Sequence, residues 1–385
     1  MSNDLNNERN LVRLVVGGME YGGWRSVRID AGLERQARSF SLETTRQWPG
    51  ATNWFRVKPG MACEIYIGPD LVLTGYVDAT PIDYDGRSVR VGVMGRSKTA
   101  DLVDCCPVTP PTQWAGQTME AIAAALAAPY GVEVVAEVPT GGPFATFALQ
   151  MGETVFEAID RMMRLRQVLS TDDARGRLVF IDAGGKRAST PIAGGVNVLR
   201  GAAALDFKDV YTQYVCKSQR SGLGGDFGVD VSEAEGEVDD TPAVAEVITS
   251  VASVADIEAA RLLGRRRVLV IRQGGLADEG NCQDRVEYER AHRNAKALEA
   301  SYTLQGWRQD DGALWEVNQL VAVRDPWLGL DREMVISSCT YSLSDGGQLV
   351  ELTVGPVDGY RTKVAKAAKQ KKTGGGGAAP WADAR

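Results

Sequence analysis

The chain carries few side chains that could perform catalysis, and its only histidine is the first to consider. His292 lies between Arg290 and Arg293 in a segment, Gln283 to Leu298, that predicts a helix. A Ser-His-Asp or Cys-His device would have to use this residue, and no Gly-x-Ser-x-Gly motif accompanies it. One histidine cannot build a histidine zinc site either. We therefore expect a structural or surface histidine.

Phosphate-binding and acid-base motifs are equally incomplete. Gly184-Gly185-Lys186 follows a predicted strand but lacks the remainder of a P-loop and the helix behind it. The paired carboxylates Asp172-Asp173 and Asp310-Asp311 fall in predicted turns, where such residues usually accept hydrogen bonds from backbone N–H groups. The sequence thus predicts no catalysis, no cofactor and no metal site.

The cysteines point to packing rather than to disulfides or metal binding. No two of them form a Cys-x-x-Cys pair, and two of them are adjacent. We predict that they are buried small hydrophobic residues without disulfides. The six are Cys63, Cys105, Cys106, Cys216, Cys282 and Cys339.

A basic C-terminal segment is the candidate partner-binding site. Lysines recur there every three residues, and a tryptophan follows a four-glycine spacer, Gly374 to Gly377. A basic face attracts an acidic surface, and an exposed tryptophan is a preferred anchor of interfaces. A disordered, solubilising end is the alternative. The candidate residues are Lys363, Lys366, Lys369, Lys371, Lys372 and Trp381.

Charge and hydropathy narrow the choice of partners. The net charge is −7, and the stretch from Ser221 to Ala260 contains ten acidic residues and no Lys or Arg. Residues 222–242 therefore predict a solvated acidic loop, and specific nucleic-acid binding is not expected. Met1 to Asn10 lacks the apolar core of a signal peptide, and no segment reaches the ~18–20 apolar residues of a membrane span. These features predict folding in a cytoplasm without stable membrane association.

The elements around these residues are mostly strands, and one strand-and-hairpin pattern occurs twice. The first copy runs from Val57 to Val93 and turns at Asp85-Gly86. The second runs from Trp315 to Val354 and turns at Asp345-Gly346, 260 positions later. Alternation of apolar and polar residues marks half-buried strands, and Asp-Gly between apolar runs marks a hairpin. A duplicated β-domain would let a trimer present six similar faces, which favours a scaffold over an enzyme.

The fold class predicted is mixed α+β and β-rich, with two related small β-barrel domains, an inserted α/β module and connecting helices. In the module, Thr118 caps a helix whose apolar positions from Met119 to Leu126 follow i, i+3, i+4, i+7 spacing. A second helix begins near Glu153. The domain boundaries predicted are 1–104 for the first barrel, 105–195 for the α/β module, 196–299 for connecting strands, acidic loop and helices, 300–360 with 196–220 for the second barrel, and 361–385 for the tail.

A long series of motifs resembles the Mu-type baseplate hub proteins of contractile-tailed bacteriophages, the late-control or tail-hub family. The resemblance extends from about Leu11 to Tyr360. The matching stretches are residues 57–60, 73–78, 95–105, 152–158, 205–209, 305–307, 314–320, 323–329 and 340–343.

The resemblance implies a structural role in the virion. It implies a homotrimeric, pseudo-sixfold ring at the centre of the tail baseplate, assembled in the host cytoplasm. The ring would join the hexameric tail tube to the trimeric central spike, contact other baseplate proteins and line the channel through which DNA passes at genome ejection. Two other classes stay open: a cell-wall glycan-binding module and a tail-associated muralytic enzyme.

Overall fold

The computed structural model describes most of the chain. The described residues are 9–33, 35–45, 57–85, 89–108, 111–166, 168–203, 206–221, 247–273 and 279–360. Residues 222–242 and 361–385 lie outside them, so the structure does not bear on the predicted acidic loop or tail.

The N-terminal β-domain is an antiparallel sheet. Alternate residues of its strands are buried, as Val12, Leu14 and Val16 show in the first strand, because successive side chains point to opposite faces. The strand order is β3-β4-β8-β6-β5-β1-β2, with β7 added to β8. The strands are β1 (Val12–Val16), β2 (Met19–Tyr21), β3 (Ser26–Gly32), β4 (Ser39–Thr45), β5 (Ala62–Ile67), β6 (Asp70–Ala79), β7 (Ile82–Tyr84) and β8 (Val89–Ser97).

The α/β module follows and confirms the two helices predicted for it. The Thr118 hydroxyl accepts a hydrogen bond from the N–H of Ala121 at 3.3 Å, and the predicted apolar face is buried. The bond satisfies one of the N–H groups that a helix start leaves unpaired. The elements are α1 (Ala100–Asp104), β9 (Gln113–Gln117), α2 (Met119–Ala127), β10 (Val134–Ala136), β11 (Phe144–Ala148), α3 (Val155–Arg166), β12 (Leu169–Asp172) and β13 (Leu178–Ile181).

The connecting region contains a small sheet that the sequence did not predict. A short helix in this region begins after Asp256, whose side chain caps its start, and ends at Gly264, at φ 60°. The sheet order is β18-β17-β19, and a long helix packs on one face. The elements from Lys186 to Ala297 are β14 (Lys186–Arg187), β15 (Ile192–Ala193), β16 (Val198–Ala203), β17 (Gln213–Ser221), β18 (Val247–Ala255), α4 (Ile257–Leu263), β19 (Val268–Gln273) and α5 (Glu279–Ala297).

The second β-domain is completed by the C-terminal strands. Their order is β16-β20-β23-β22, and β22 also pairs with β21. Residues 196–220 were predicted to join this domain. Of these, β16 does, whereas β17 pairs with β18 and β19 instead. The strands are β20 (Ala300–Gln305), β21 (Gln319–Asp325), β22 (Leu330–Ser344) and β23 (Gly347–Gly355), followed by a 3-10 helix, Val357–Gly359.

The two β-domains repeat the same five-strand unit. The order β3-β4-β8-β6-β5 in the first matches β16-β20-β23-β22-β21 in the second, with antiparallel pairing throughout. The match includes an irregularity. The first unit skips Asp78 where β6 pairs with β8, and the second skips Ser337 where β22 pairs with β23. A bulge at the same place in both units fixes which residues are equivalent.

The two units are joined edge to edge into one sheet. Ser338 to Leu343 of β22 pair with Gly32 to Val27 of β3, and one hydrophobic core spans both units. The mixed, β-rich fold class is confirmed. The two units share a continuous sheet, because β22 is long enough to pair with β21 and then with β3. The domain boundaries stay predictions.

Candidate interaction surfaces

The sequence-predicted partner site cannot be placed. Lys363, Lys366, Lys369, Lys371, Lys372 and Trp381 all lie outside the described residues. Their role in binding stays a prediction, and the candidate surfaces below come from the described β-domains.

His292 ties the end of α5 to the 3-10 helix. Its Nδ1 lies 3.0 Å from the carbonyl oxygen of Gly359, which accepts the hydrogen bond. Its ring stacks on Tyr288 at 5.5 Å between centroids. These contacts give the residue a structural task.

The paired carboxylates take different positions. Asp173 and Asp311 accept backbone hydrogen bonds in turns, from Arg175 at 3.0 Å and from Ala313 at 3.0 Å. The prediction of a turn residue is wrong for Asp172, because the side chain is buried and meets Arg38.

Asp172 and Arg38 fix the α/β module to the first β-domain. The Asp172 carboxylate accepts hydrogen bonds from the backbone N–H of Arg38 at 3.0 Å and from its Nε at 3.3 Å. Burial raises the pKa of the Asp172 carboxyl, and the charge of Arg38 opposes that shift. A largely buried ion pair between two units serves as a structural link.

The cysteines are free thiols, and four of them are buried. Burial raises the pKa of Cys63 and of Cys339 to about 12, and that of Cys216 to about 11. The prediction of a buried residue is wrong for Cys106, which is exposed. Among the described residues, no group of three or more His, Cys, Asp or Glu side chains could hold a metal ion.

The junction between the two units shows how this sheet buries an edge. Tyr341 of β22 lies opposite Ile29 of β3, and both are buried. On the polar face, Thr340 donates a hydrogen bond to Asp30 at 2.6 Å. An exposed ion pair between Arg25 and Asp345, 3.7 Å apart, lies at the end of the junction. An apolar face and a charged end together define the contact.

In the part of the chain that the structure describes, nothing pairs with the outer edge of β7, which is the first unit's equivalent of this junction. Ile82 and Tyr84 of β7 occupy the positions that Tyr341 and Leu343 have in β22, yet they are 65% and 78% exposed. Among the described strands, β7 pairs only with β8. We call this first surface the β7 edge, composed of Ile82, Asp83, Tyr84 and Asp85.

β16, the strand of the second unit that is equivalent to β3, also has an edge that no described strand covers. In the described residues β16 pairs only with β20, and Leu199 is exposed. A hairpin turn beside it presents Trp327, which is 91% exposed, on a turn held by Asp325. The Asp325 carboxylate accepts the N–H of Trp327 at 2.9 Å. We call this second surface the β16 edge, composed of residues 196–203 and Trp327.

The equivalent hairpin end in the first unit is covered by the same chain. The N–H of Gly68 bonds to the carbonyl of Leu11 at 2.8 Å, and Arg308 of the second unit pairs with Asp70 at 2.7 Å. Among the described residues, this hairpin end is covered in the first unit and exposed in the second, which makes it a candidate interaction surface. The sequence analysis missed both edges. The signal that could have found them was the duplication itself, which allows each position to be compared with its equivalent.

Three regions of the chain match models of known protein families. Residues 11–97 match the N-terminal model of the Mu phage baseplate assembly protein GpP-like family. Residues 99–182 match the second domain of the baseplate hub protein gp44-like family. Residues 279–363 match the fourth domain of Mu phage baseplate assembly protein GpP.

Solved structures show the same fold. The 43 kDa tail protein of prophage MuSo2 from Shewanella oneidensis is 31% identical, with a TM-score of 0.76 over 91% of this chain and 99% of that chain. A tail protein from Neisseria meningitidis MC58 is 20% identical, with a TM-score of 0.75 over 91% and 98% of the two chains. The architecture is therefore that of a phage tail protein.

A relative of known function shows which class of phage tail protein this chain belongs to. The baseplate hub protein gp44 of Escherichia phage Mu is 30% identical over 370 residues, which is 95% of this chain and 93% of that protein. The chain belongs to the family of Mu-type baseplate hub proteins, as the resemblance implied. It is a tail component of the virion. No helix in the described part of the chain is long and apolar enough to cross a membrane.

Proposed function

We propose that the chain forms a homotrimeric ring at the centre of a contractile-tail baseplate. The observation that carries this proposal is the repeated five-strand unit, whose order and bulge recur in each half of the chain. Three chains would bring six such units together. Closed cyclic rings are the usual result of contacts between unlike surfaces of identical subunits.

The ring would adapt one symmetry to another. Six similar units form a pseudo-sixfold face for a hexameric tail tube, while the true threefold axis fits a trimeric central spike. The function is then mechanical, namely tube and spike attachment around a central channel used at genome ejection. The net charge of −7 suits a channel that DNA must pass, because phosphate binding needs basic surfaces.

The mass of the purified chain in solution, measured by light scattering behind a sizing column, tests the ring. We expect three times 41.4 kDa. Immobilised chain should then retain both the tube protein and the spike protein of the same phage. A monomer that stays monomeric when spike protein is added would contradict the proposal.

The C-terminal tail adds a contact in this proposal. The basic run from Lys363 to Lys372 and Trp381 would dock a neighbouring baseplate component, since a lysine-rich segment seeks an acidic surface and tryptophan provides an anchor. Binding of tube or spike that is unchanged without these residues would contradict this role.

A further inference from the structure

We propose that subunits of the ring join by strand addition, with β7 of one copy pairing antiparallel to β16 of the next. In the register that we infer, Ile82 lies opposite Ala203, Asp83 opposite Ala202, and Tyr84 opposite Gly201. The inference rests on the proposed trimer and names the surfaces that form it. The occupant of each exposed edge is thus a second copy of this chain.

The register follows from the bulges. Aligning Asp78 with Ser337 makes Gly95 of β8 equivalent to Val354 of β23, and hence Val91 equivalent to Val350. Ile82 pairs with Val91 just as Tyr341 pairs with Val350. Ile82 is therefore the equivalent of Tyr341.

The same alignment places β16 on β3. Phe40 pairs with Gly95, and Ala300 pairs with Val354, so Phe40 and Ala300 are equivalent. Ile29 pairs with Phe40 and Ala203 pairs with Ala300, which makes Ala203 the equivalent of Ile29. Since Tyr341 pairs with Ile29 within the chain, Ile82 should pair with Ala203 between chains.

Each edge has what strand addition requires. An edge strand offers a row of unpaired backbone N–H and C=O groups, and soluble proteins usually protect such edges. Within the described residues, β7 and β16 each have one paired side only. Adding one to the other would satisfy both rows at once, as in peptide recognition by β-augmentation.

The apolar faces fit by size. Ile82 and Tyr84 point to one side of β7, while β16 presents the small residues Gly201 and Ala203 on the corresponding side. Large side chains can lie over small ones when two strands pair, and an aromatic ring covering a glycine is a known way to stabilise a strand pair. Within the chain, Leu343 and Val27 occupy the equivalent of the Tyr84 and Gly201 positions.

The polar faces fit by charge. The register places Arg200 directly opposite Asp85 of the other copy and diagonal to Asp83, and all three are exposed. Opposite charges on facing strands stabilise a pair by about 0.2–1 kcal/mol. The junction inside the chain ends in the same manner, with Arg25 and Asp345 at 3.7 Å.

Disulfide trapping tests the register directly. In a chain with the exposed Cys106→Ser change, Asp83→Cys and Ala202→Cys should convert the monomer band to a covalent trimer under mild oxidation. The control carries Asp83→Cys with Ala203→Cys, one residue out of register and on the opposite face, and should give no trimer band. Reduction should return the cross-linked trimer to the monomer band. Light scattering is measured on each protein before oxidation.

The outcomes distinguish a failure of the proposed strand pairing from a failure of the proposed trimer. A trimeric mass without the in-register cross-link would overturn the pairing and leave the trimer standing. Equal cross-linking of the control would overturn the register. A mass that stays monomeric when spike protein is added, without cross-links, would overturn both. As an independent check, Arg200→Asp should lower the trimer fraction, and adding Asp83→Arg and Asp85→Arg should restore it; no recovery would count against the charge pairing.

Discussion

Equivalent positions of the two units should respond to the same change in opposite ways. Tyr341 is 6% exposed, donates a hydrogen bond to the carbonyl of Trp315 and meets Trp307 edge-on at 6.2 Å. Its equivalent, Ile82, is 65% exposed. Tyr341→Ser should therefore lower the free energy of unfolding of the monomer by about 3–5 kcal/mol, as for other large-to-small changes of buried aromatic residues. Ile82→Ser should change it by no more than about 0.5 kcal/mol.

The trimer should show the reverse. Burying a whole isoleucine side chain contributes about 2.5 kcal/mol, so covering the exposed two thirds of Ile82 contributes about 1.6 kcal/mol per junction. Three junctions give about 5 kcal/mol for the trimer. Because the half-assembly concentration of a trimer follows the square root of its dissociation constant, Ile82→Ser should raise that concentration about 60-fold.

Two measurements test these opposite effects on monomer stability and on trimer assembly. Urea unfolding at low protein concentration gives the stability of the monomer, and sedimentation velocity across a dilution series gives the half-assembly concentration. The matched control is Ile257→Ser, because Ile257 is 66% exposed and lies on α4, away from both edges. An Ile82→Ser chain that assembles like the control, or that loses as much monomer stability as Tyr341→Ser, would refute the reasoning.

Three further changes test other parts of the molecule. Asp172→Ala removes a buried carboxylate from the mostly buried side chain of Arg38, which is 17% exposed. It should cost about 3–5 kcal/mol in urea unfolding, against about 0–1 kcal/mol for Glu316→Ala, whose pair with Lys186 is exposed. A thiol reagent at pH 8 should modify Cys106 within minutes and Cys63 only on unfolding. Burial raises the pKa of Cys63 to about 12, above about 8.5 in the unfolded chain. The stability linked to this thiol is therefore present below about pH 8.5 and is lost as the pH rises toward 12. Urea-unfolding midpoints measured across that pH range should show the loss. Truncation after Thr362 should leave the trimer mass unchanged and weaken retention of tube or spike protein, and unaltered retention would exclude the tail as a docking segment.

Local signals were enough to predict the two long helices of the α/β module. The start of α2 follows from the hydroxyl of Thr118, and its buried face follows from the spacing of Met119 and Ile122. In each case the residues that determine the element lie within it, so periodicity and capping are sufficient.

The pairing of β22 with β3 could not be predicted in this way. Cys339 and Ala31 face each other although about three hundred residues separate them in the chain. The pairing depends on which strand edges stay free after each unit has folded, and no local pattern records this. Likewise, alternation shows that Ile82 and Tyr84 share a face, but it does not show whether anything covers that face.

The junction within the chain and the inferred junction between chains differ in how much apolar surface they bury. Inside the chain, the junction pairs Tyr341 with Ile29, two large side chains that are buried as soon as the chain folds. Between chains, the inferred junction pairs Ile82 with Ala203 and relies more on Arg200 and the acidic residues of the β7 edge. Smaller apolar burial lowers affinity, while complementary charge mainly raises the rate and specificity of encounter. In the proposed ring, three stronger junctions within the chains would keep each subunit folded before assembly, and three weaker junctions would form between chains. The ring would then close only when three copies meet. Because salt screens exposed charges, raised salt should slow this closure and should have a smaller effect on the free energy of unfolding of the monomer.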